Sequence, residues 1–442
     1  FEHKALEDLE NREVIYATTN EEKQIIDVLK KYVGEEQISV TDTLMELGIG
    51  SLNVYNLVVE LEEKFSVSLK VEELLSDITV SKLANLIFAG SNGVNLNTVQ
   101  KKPSFEPIRL TEKQKGIWIA SQIKTDSREF NIPICLKLTG VLNVDALDRA
   151  FKNIVQKHHI LRTEYSLKDG ELLGNIVDSP ESIISMEDIS NHENKKSYIR
   201  DAIYEMRTLS LSLDQFPLYK IRLLKTDSEE YHMLFTIHHF ISDGWSIKII
   251  LDELKEYYNA YCEHEYVVSE PLRYQYEDIA FTESISDATE QREKMRQYWK
   301  DKFEESDTVL SMPEDYPRPR VMDHKGKNIN KIINAEKYSL IKDLAQSYKT
   351  SVFTLMSAVL GILLRRYTGQ ENINIGFPIL GRNDSNAQQM VGMFIDTSIM
   401  KLSVETDLDF GQYLEQVSSE ILSSIKMSGI GLNSIIETVN PA

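Results

Sequence analysis

The chain has 442 residues, more than one ordinary hydrophobic core organises, so at least two domains are expected. Its 42% hydrophobic and 27% charged residues fit a globular protein, and a formal net charge of -20 repels phosphate backbones, which argues against nucleic acid as the main partner. Apolar runs such as Val359–Leu364 are far short of a membrane span. No secretory signal opens the sequence, and Cys135 and Cys262 stand far apart, without CxxC or Cys/His metal spacing. No membrane partner, no metal and a reducing, cytoplasmic setting are therefore expected. The opening Phe1-Glu2-His3-Lys4 starts mid-pattern, as in a piece of a longer polypeptide.

In chain order, the first periodic stretch is 20–33, where Ile25, Val28, Leu29 and Tyr32 fall on one helical face, with Glu21 and Glu22 at its start and Gly34 at its end. Ser51 opens a second helix through Leu52, Tyr55, Leu57, Val58, Leu61 and Phe65. Val71–Leu75 reads as a short helical turn and Thr79–Phe88 as another helix, which makes a small acidic bundle. Residues 89–106 are rich in Gly, Ser, Asn and Pro, a linker signature. Beyond them the periods mix. Val144–His158, Ile247–Tyr261, Glu290–Phe303, Ser339–Tyr348 and Ser351–Tyr367 read as helices; Ile132–Leu138, Met233–Ile237, Asn328–Asn334 and Asn372–Phe377 read as strands. Two α/β lobes, each of two layers, are expected, with the crossover in the polar stretch 263–320.

Two places invite chemistry. Ser51 follows Gly48-Ile49-Gly50 at a helix start. It reads either as an ordinary N-cap or as a serine presented for modification, where a phosphodiester would meet free N–H groups and a favourable dipole. The second place is His238-His239-Phe240-Ile241-Ser242-Asp243-Gly244-Trp245-Ser246, which ends an apolar strand. One reading is structural: one histidine caps the strand, the other packs inward, and Asp-Gly turns. The other is acyl transfer, in which an imidazole near neutral pKa takes or orients the proton of an attacking amine. Asp243 would then be an inward carboxylate in need of a partner, for which Arg162 is the candidate. Gly244 would allow close approach, and Trp245 would fill the floor beside it.

Residues 16–90 resemble a carrier domain of the acyl or peptidyl type, on the helix Glu21–Tyr32, DTLMELGIGSL (Asp42–Leu52), LVVELEEKF (Leu57–Phe65) and ITVSKLANLI (Ile78–Ile87). The resemblance implies an all-α four-helix bundle with 4′-phosphopantetheine covalently attached to Ser51 by a phosphopantetheinyl transferase. Gly50 departs from the acid or histidine usual before that serine. Residues 107–442 resemble the condensation domain of nonribosomal peptide synthetases, on LTEKQKGIW (Leu110–Trp118), KHHILRTEY (Lys157–Tyr165), HHFISDGWS (His238–Ser246), YQYEDIA (Tyr274–Ala280) and IGFPILGRN with VGMFIDT (Val391–Thr397). This implies two chloramphenicol-acetyltransferase-like lobes with a tunnel between them.

The expected organisation is thus 1–15 as the tail of an adenylation domain or a linker, 16–90 carrier, 91–106 linker, 107–275 N-terminal lobe and 276–442 C-terminal lobe, truncated at Ala442. By the resemblance His239 is the principal catalytic residue. His238 and Asp243 are architectural, Gly244 lines the tunnel, and Arg162, Trp245 and Ser246 support it. The reaction implied is peptide-bond formation between an aminoacyl or peptidyl thioester on Ser51 and the amine of an aminoacyl thioester on a downstream carrier, with an adenylation domain upstream. Ser428–Pro441 keeps the hydrophobic frame of the family's sixth motif but lacks its His-Gln-Asp run. A non-catalytic docking or recruitment module and an epimerase-type relative are the alternatives.

Overall fold

The computed structural model describes residues 14–33, 38–44, 46–49, 51–65, 67, 69, 74, 78–88, 99–123, 127–263, 270–286, 290–304, 309–317, 327, 329–382, 384–405 and 407–440. Helix α1 (Asn20–Val33), α2 (Ser51–Phe65) and α3 (Val80–Phe88) form the N-terminal bundle. The apolar stripe of α1 does what its spacing predicts: Ile25, Val28 and Leu29 are buried against Leu57, Val58 and Leu61 of α2 and Leu83 of α3. Each such side chain contributes about 1.5–3 kcal/mol. The turn expected at Val71–Leu75 lies outside the described residues except Leu74, which is helical and buried.

The linker is only partly loose in composition. Its second half, from Val99, lies along helix α8 (Tyr276–Ser286), with the Gln100 N–H donating to Thr282 Oγ1 (2.8 Å) and the Lys102 N–H to Asp278 Oδ1 (2.8 Å).

The first lobe is built on a four-stranded sheet ordered β1-β6-β5-β4, from Asn131–Thr139, Glu230–His238, Tyr219–Asp227 and Ile184–Asp188; β6 pairs antiparallel with β1 and β5, and β4 lies parallel to β5. Alternation decides its faces. Leu223, Met233, Phe235 and Ile237 join the core under α5 (Val144–Lys157) and α7 (Gly244–Cys262), while Leu224 and Leu234 pack on α6 (Lys195–Arg207). Helices cover both faces, so this lobe has three layers rather than the two expected. That double burial is why β6 reads as a continuous apolar run. A hairpin, β2 (Thr163–Lys168) and β3 (Glu171–Ile176), and α4 (Glu112–Ile123) close its side.

The second lobe comprises α9 (Glu290–Phe303), α10 (Ala335–Ser347), α11 (Val352–Thr368), the antiparallel pair β7 (Asn372–Ile379) and β8 (Asp396–Ser403), the short α12 (Ser385–Gln388), α13 (Phe410–Lys426) and α14 (Leu432–Val439). Its core joins Leu355, Ala358, Ile373, Phe377, Met400, Leu402, Tyr413, Leu414, Val417 and Ile421. The strand expected at Asn328–Asn334 is absent: residues 329–334 have no regular structure, and Ile329 and Ile332 are exposed. Their alternation finds no described neighbouring strand to pair with.

The connection from β7 to β8 crosses to the first lobe, where Ala387, Met390, Val391 and Phe394 enter its core. Glycine makes this route possible. Gly381 has φ +63°, and a Cβ there would meet the Phe394 carbonyl oxygen at 2.3 Å; one on Gly392 would meet the Tyr276 ring at 2.3 Å.

Candidate active site at the end of β6

His238 is the last residue of β6, His239–Ile241 form one 3-10 turn, and Asp243 caps α7 by accepting the Ser246 N–H at 2.7 Å. The turn is therefore held between a central strand and a helix N-terminus. His238 is fully buried, and its Nδ1 accepts the Phe240 N–H (3.1 Å). The neutral ring then carries its proton on Nε2, which is buried without a partner. Burial, and after it the neighbouring His239, pushes its pKa down to about 4. His238 is thus a neutral wedge at the strand end. His239 has its Nδ1 buried without a hydrogen-bond partner, which leaves Nε2 as the nitrogen through which that ring can exchange a proton.

Phe240 is buried edge-on against Tyr165 (4.9 Å between centroids). Its carbonyl accepts from Gln114 Nε2 (3.1 Å), and the Gln114 Oε1 accepts the Thr111 N–H (3.2 Å). Gln114, on α4, thereby ties the residue after His239 to a second element.

Asp243 is the hub. Oδ1 accepts from the Ser246 N–H, Ser246 Oγ (2.7 Å) and Arg382 Nη2 (2.8 Å); Oδ2 accepts the Phe394 (3.0 Å) and Ile395 (3.3 Å) N–H groups. Arg382 is fully buried; it also donates Nη1 to the carbonyls of Ala387 and Met390 (2.6 Å for the second) and lies over the Phe394 ring (4.1 Å). Burial lowers the Arg382 pKa, and Asp243 opposes that. This corrects the expected pairing of Asp243 with Arg162. Arg162 instead donates Nη1 to the Val177 carbonyl (3.2 Å), because it ends the turn that leads into β2 and points along that hairpin. The true partner arrives from the crossing connection. Arg382 lies within IGFPILGRN, but neither charge nor spacing tells which arginine of the chain reaches Asp243.

Ser246 Oγ accepts the Gly392 N–H (3.0 Å) and shares its single proton between Asp243 Oδ1 and the Gly392 carbonyl (2.9 Å), and Trp245 Nε1 donates to the Gln388 carbonyl (3.0 Å). Beside them the buried His158 accepts the Val391 N–H on Nδ1 (3.3 Å), and its Nε2 faces Glu253 Oε2 (2.9 Å), a carboxylate that Lys157 also pairs at 2.7 Å. Burial depresses the His158 pKa, against the pull of Glu253. The sequence offered KHHILRTEY as a motif without saying that His158 clamps the crossing connection. Gly244 has open space where a Cβ would project. Ser51 opens α2, with its side chain outside the described residues.

The arrangement is a histidine with one nitrogen sequestered, seated where two lobes are stitched by a buried ion pair, beside a helix start bare of side chain. Such a seat suits proton handling in acyl transfer. Residues 106–442 match the condensation domain family, and residues 23–87 match the phosphopantetheine attachment site.

The chain belongs to the condensation domain family, with a match to the phosphopantetheine attachment site family ahead of that domain. It is similar to surfactin synthase subunit 1 of Bacillus subtilis (strain 168), with 26% identity over 420 residues, 95% of this chain and 11% of the relative. It is likewise similar to bacitracin synthase 3 of Bacillus licheniformis, with 27% identity over 422 residues, 95% of this chain and 6% of the relative. The chain thus spans only a small part, 6% to 11%, of the length of these curated relatives. In fold it resembles the X-domain from teicoplanin biosynthesis (TM-score 0.70, 18% identity, 78% of this chain and 76% of that one). It also resembles the first condensation domain of the calcium-dependent antibiotic synthetase in complex with a substrate analogue (TM-score 0.63, 19% identity, 77% and 79%).

Proposed function

We propose that the chain forms a peptide bond between a donor aminoacyl or peptidyl group, held as a thioester on Ser51, and the amine of an aminoacyl thioester on a downstream carrier. The observation that carries this reading is the seat of His239: Nδ1 buried, the ring fixed between β6 and α7, and Gly244 leaving open space at the mouth of the helix. A carrier domain on the same polypeptide supplies a donor in thioester form. The opening turn of α2 suits a phosphodiester at Ser51, since its first N–H groups have no helical acceptor. The attached arm, when present, supplies the thiol that activates the acyl group.

In this reading the acceptor amine, oriented by His239 Nε2, attacks the thioester carbonyl. The C–N bond forms, the C–S bond breaks, and the proton lost from nitrogen passes through His239 to the departing sulfur. His238, neutral and buried, holds the turn. Asp243, Arg382, Ser246 and Trp245 fix α7 to the crossing connection, and Arg162 serves the β2–β3 hairpin. The working boundaries are carrier 16–90, linker 91–106 and lobes 107–275 and 276–442, in a cytoplasmic assembly with an adenylation domain upstream and a phosphopantetheinyl transferase to install the arm.

The test loads Ser51 with an aminoacyl-phosphopantetheine, adds a separately loaded acceptor carrier, and follows the acceptor's intact mass. A dipeptidyl mass shift that disappears in Ser51→Ala supports the reading. An acceptor whose mass never changes, with both carriers verified as loaded, refutes it.

A further inference from the structure

We propose that Glu46 and Glu62 are the docking residues by which the carrier recognises the second lobe of its own chain, and that together they set the direction of α2. The proposal rests on the reading that this carrier delivers the donor. One carboxylate precedes the helix that begins at Ser51 and the other lies near that helix's end, and each divides its oxygens in the same way. Glu46 gives Oε2 to the Thr43 N–H of its own loop (2.9 Å) and Oε1 to Lys349 Nζ of the lobe (3.3 Å). Glu62 gives Oε1 to the Leu69 N–H of its own domain (2.8 Å) and Oε2 to the Ser385 N–H of the lobe (3.2 Å). One oxygen of each serves the carrier's fold; the other reaches across.

Around them Leu380, Leu422 and Ile425 of the lobe pack on the carrier core. Both halves of the contact carry a mark of adaptation to it. Lys349 occupies a left-handed backbone position (φ 51°) after α10, where glycine or asparagine is the easy choice, yet it is the residue whose amine meets Glu46. Glu62 is only 8% exposed, and one of its oxygens meets the lobe. Its burial raises its pKa, and the lobe provides one of the two N–H groups that offset the cost.

The geometry gives the contact a purpose. Glu62 lies eleven residues beyond Ser51, about 16 Å along α2. Glu46 precedes Ser51 by five residues. A helix held near both ends cannot swing, so whatever is attached at Ser51 leaves the carrier in a fixed direction relative to the lobes. A carrier that kept these own-domain bonds but lost either contact to the lobe would keep its fold and lose that aim.

The test uses the full chain with four variants: Lys349→Glu, Glu46→Lys, the double swap, and Glu62→Gln, which keeps the side-chain volume. Amide hydrogen exchange is read at residues 380–390 and 420–426. Transfer is read from Ser51 and, separately, from a free pantetheinyl thioester of the same aminoacyl group. Each single charge change should speed exchange at both segments and slow transfer from Ser51 roughly two- to fivefold, as for a part-exposed ion pair. The double swap should restore both, Glu62→Gln should speed exchange at 380–390, and transfer from the free thioester should be unchanged throughout. Exchange that is the same in all four variants, or losses that add in the double swap, would overturn the proposal. Absence of any amide product from the wild type would instead sink the condensation reading, while the exchange pattern would still decide the dock.

Discussion

His239 and Asp243 do different work four residues apart, and substitution should separate them. His239→Ala removes the only imidazole nitrogen of the pair open to exchange, so amide formation should fall roughly 100- to 10,000-fold with the melting temperature unchanged. Loaded-carrier kinetics beside a thermal melt checks this. Arg382→Ala strands Asp243 as a buried charge and should cost about 3–5 kcal/mol, whereas Arg162→Ala, which loses a bond to one carbonyl, should cost about 1 kcal/mol. Equal losses in denaturant titrations would contradict the Asp243–Arg382 pairing. Acidity tests His238. Its folded pKa of about 4 lies below the 6.5 of a free histidine, so the unfolded chain binds the extra proton. Its contribution is whole above about pH 6.5 and is lost as pH falls toward 4, at up to about 1.4 kcal/mol per pH unit. His158 is shifted in the same direction and adds to the slope. Stability should therefore drop between pH 7 and pH 5, less steeply in His238→Asn; a flat profile would count against neutral burial.

At the scale of elements, the crossing connection between β7 and β8 is held by its own Arg382 and by side chains of other segments: His158 on Val391, Ser246 on Gly392, Asp243 on Phe394 and Ile395. Ser246→Ala deletes both bonds to Gly392 and one to Asp243. Exchange at 387–395 should rise well before that of β6, with a stability loss of about 1–3 kcal/mol. Long amphipathic helices such as α1, α5 and α7 were legible in the sequence because periodicity is a local property, and so was the turn at His238. Strands β2 to β5 and β8 were not: β2 to β4 have only five or six residues, and Lys220 and Arg222 in β5 and Lys401 in β8 interrupt the apolar pattern. The Asp243–Arg382 pair was illegible for a different reason: 139 residues separate its members, and only the folded connection joins them. Asn328–Asn334 failed in the opposite sense, since a strand-like pattern without a partner strand does not make a strand.

At the scale of the whole molecule, the charge of -20 favours solubility, but α10 and α11 expose Leu340, Leu344, Phe353, Met356, Val359, Leu360, Leu363 and Tyr367. A contiguous apolar face of that kind promotes association. Light scattering should show concentration-dependent self-association, with enhanced fluorescence of a hydrophobic dye. Leu360→Gln with Leu363→Gln should reduce both; a monodisperse, dye-silent wild type would contradict the exposure.

The hydrogen bonds of Gln100 and Lys102 to α8 shorten the leash on which the carrier moves. Whatever path residues 89–98 take, Phe88 cannot travel farther than about 40 Å from Val99. Confinement within that radius keeps the donor at a local concentration of millimolar order. A dock with a dissociation constant equally weak is then occupied about half the time, and it lets go readily. A carrier that must visit more than one partner gains speed from such a grip, so mutations that tighten it should slow turnover as surely as those that abolish it.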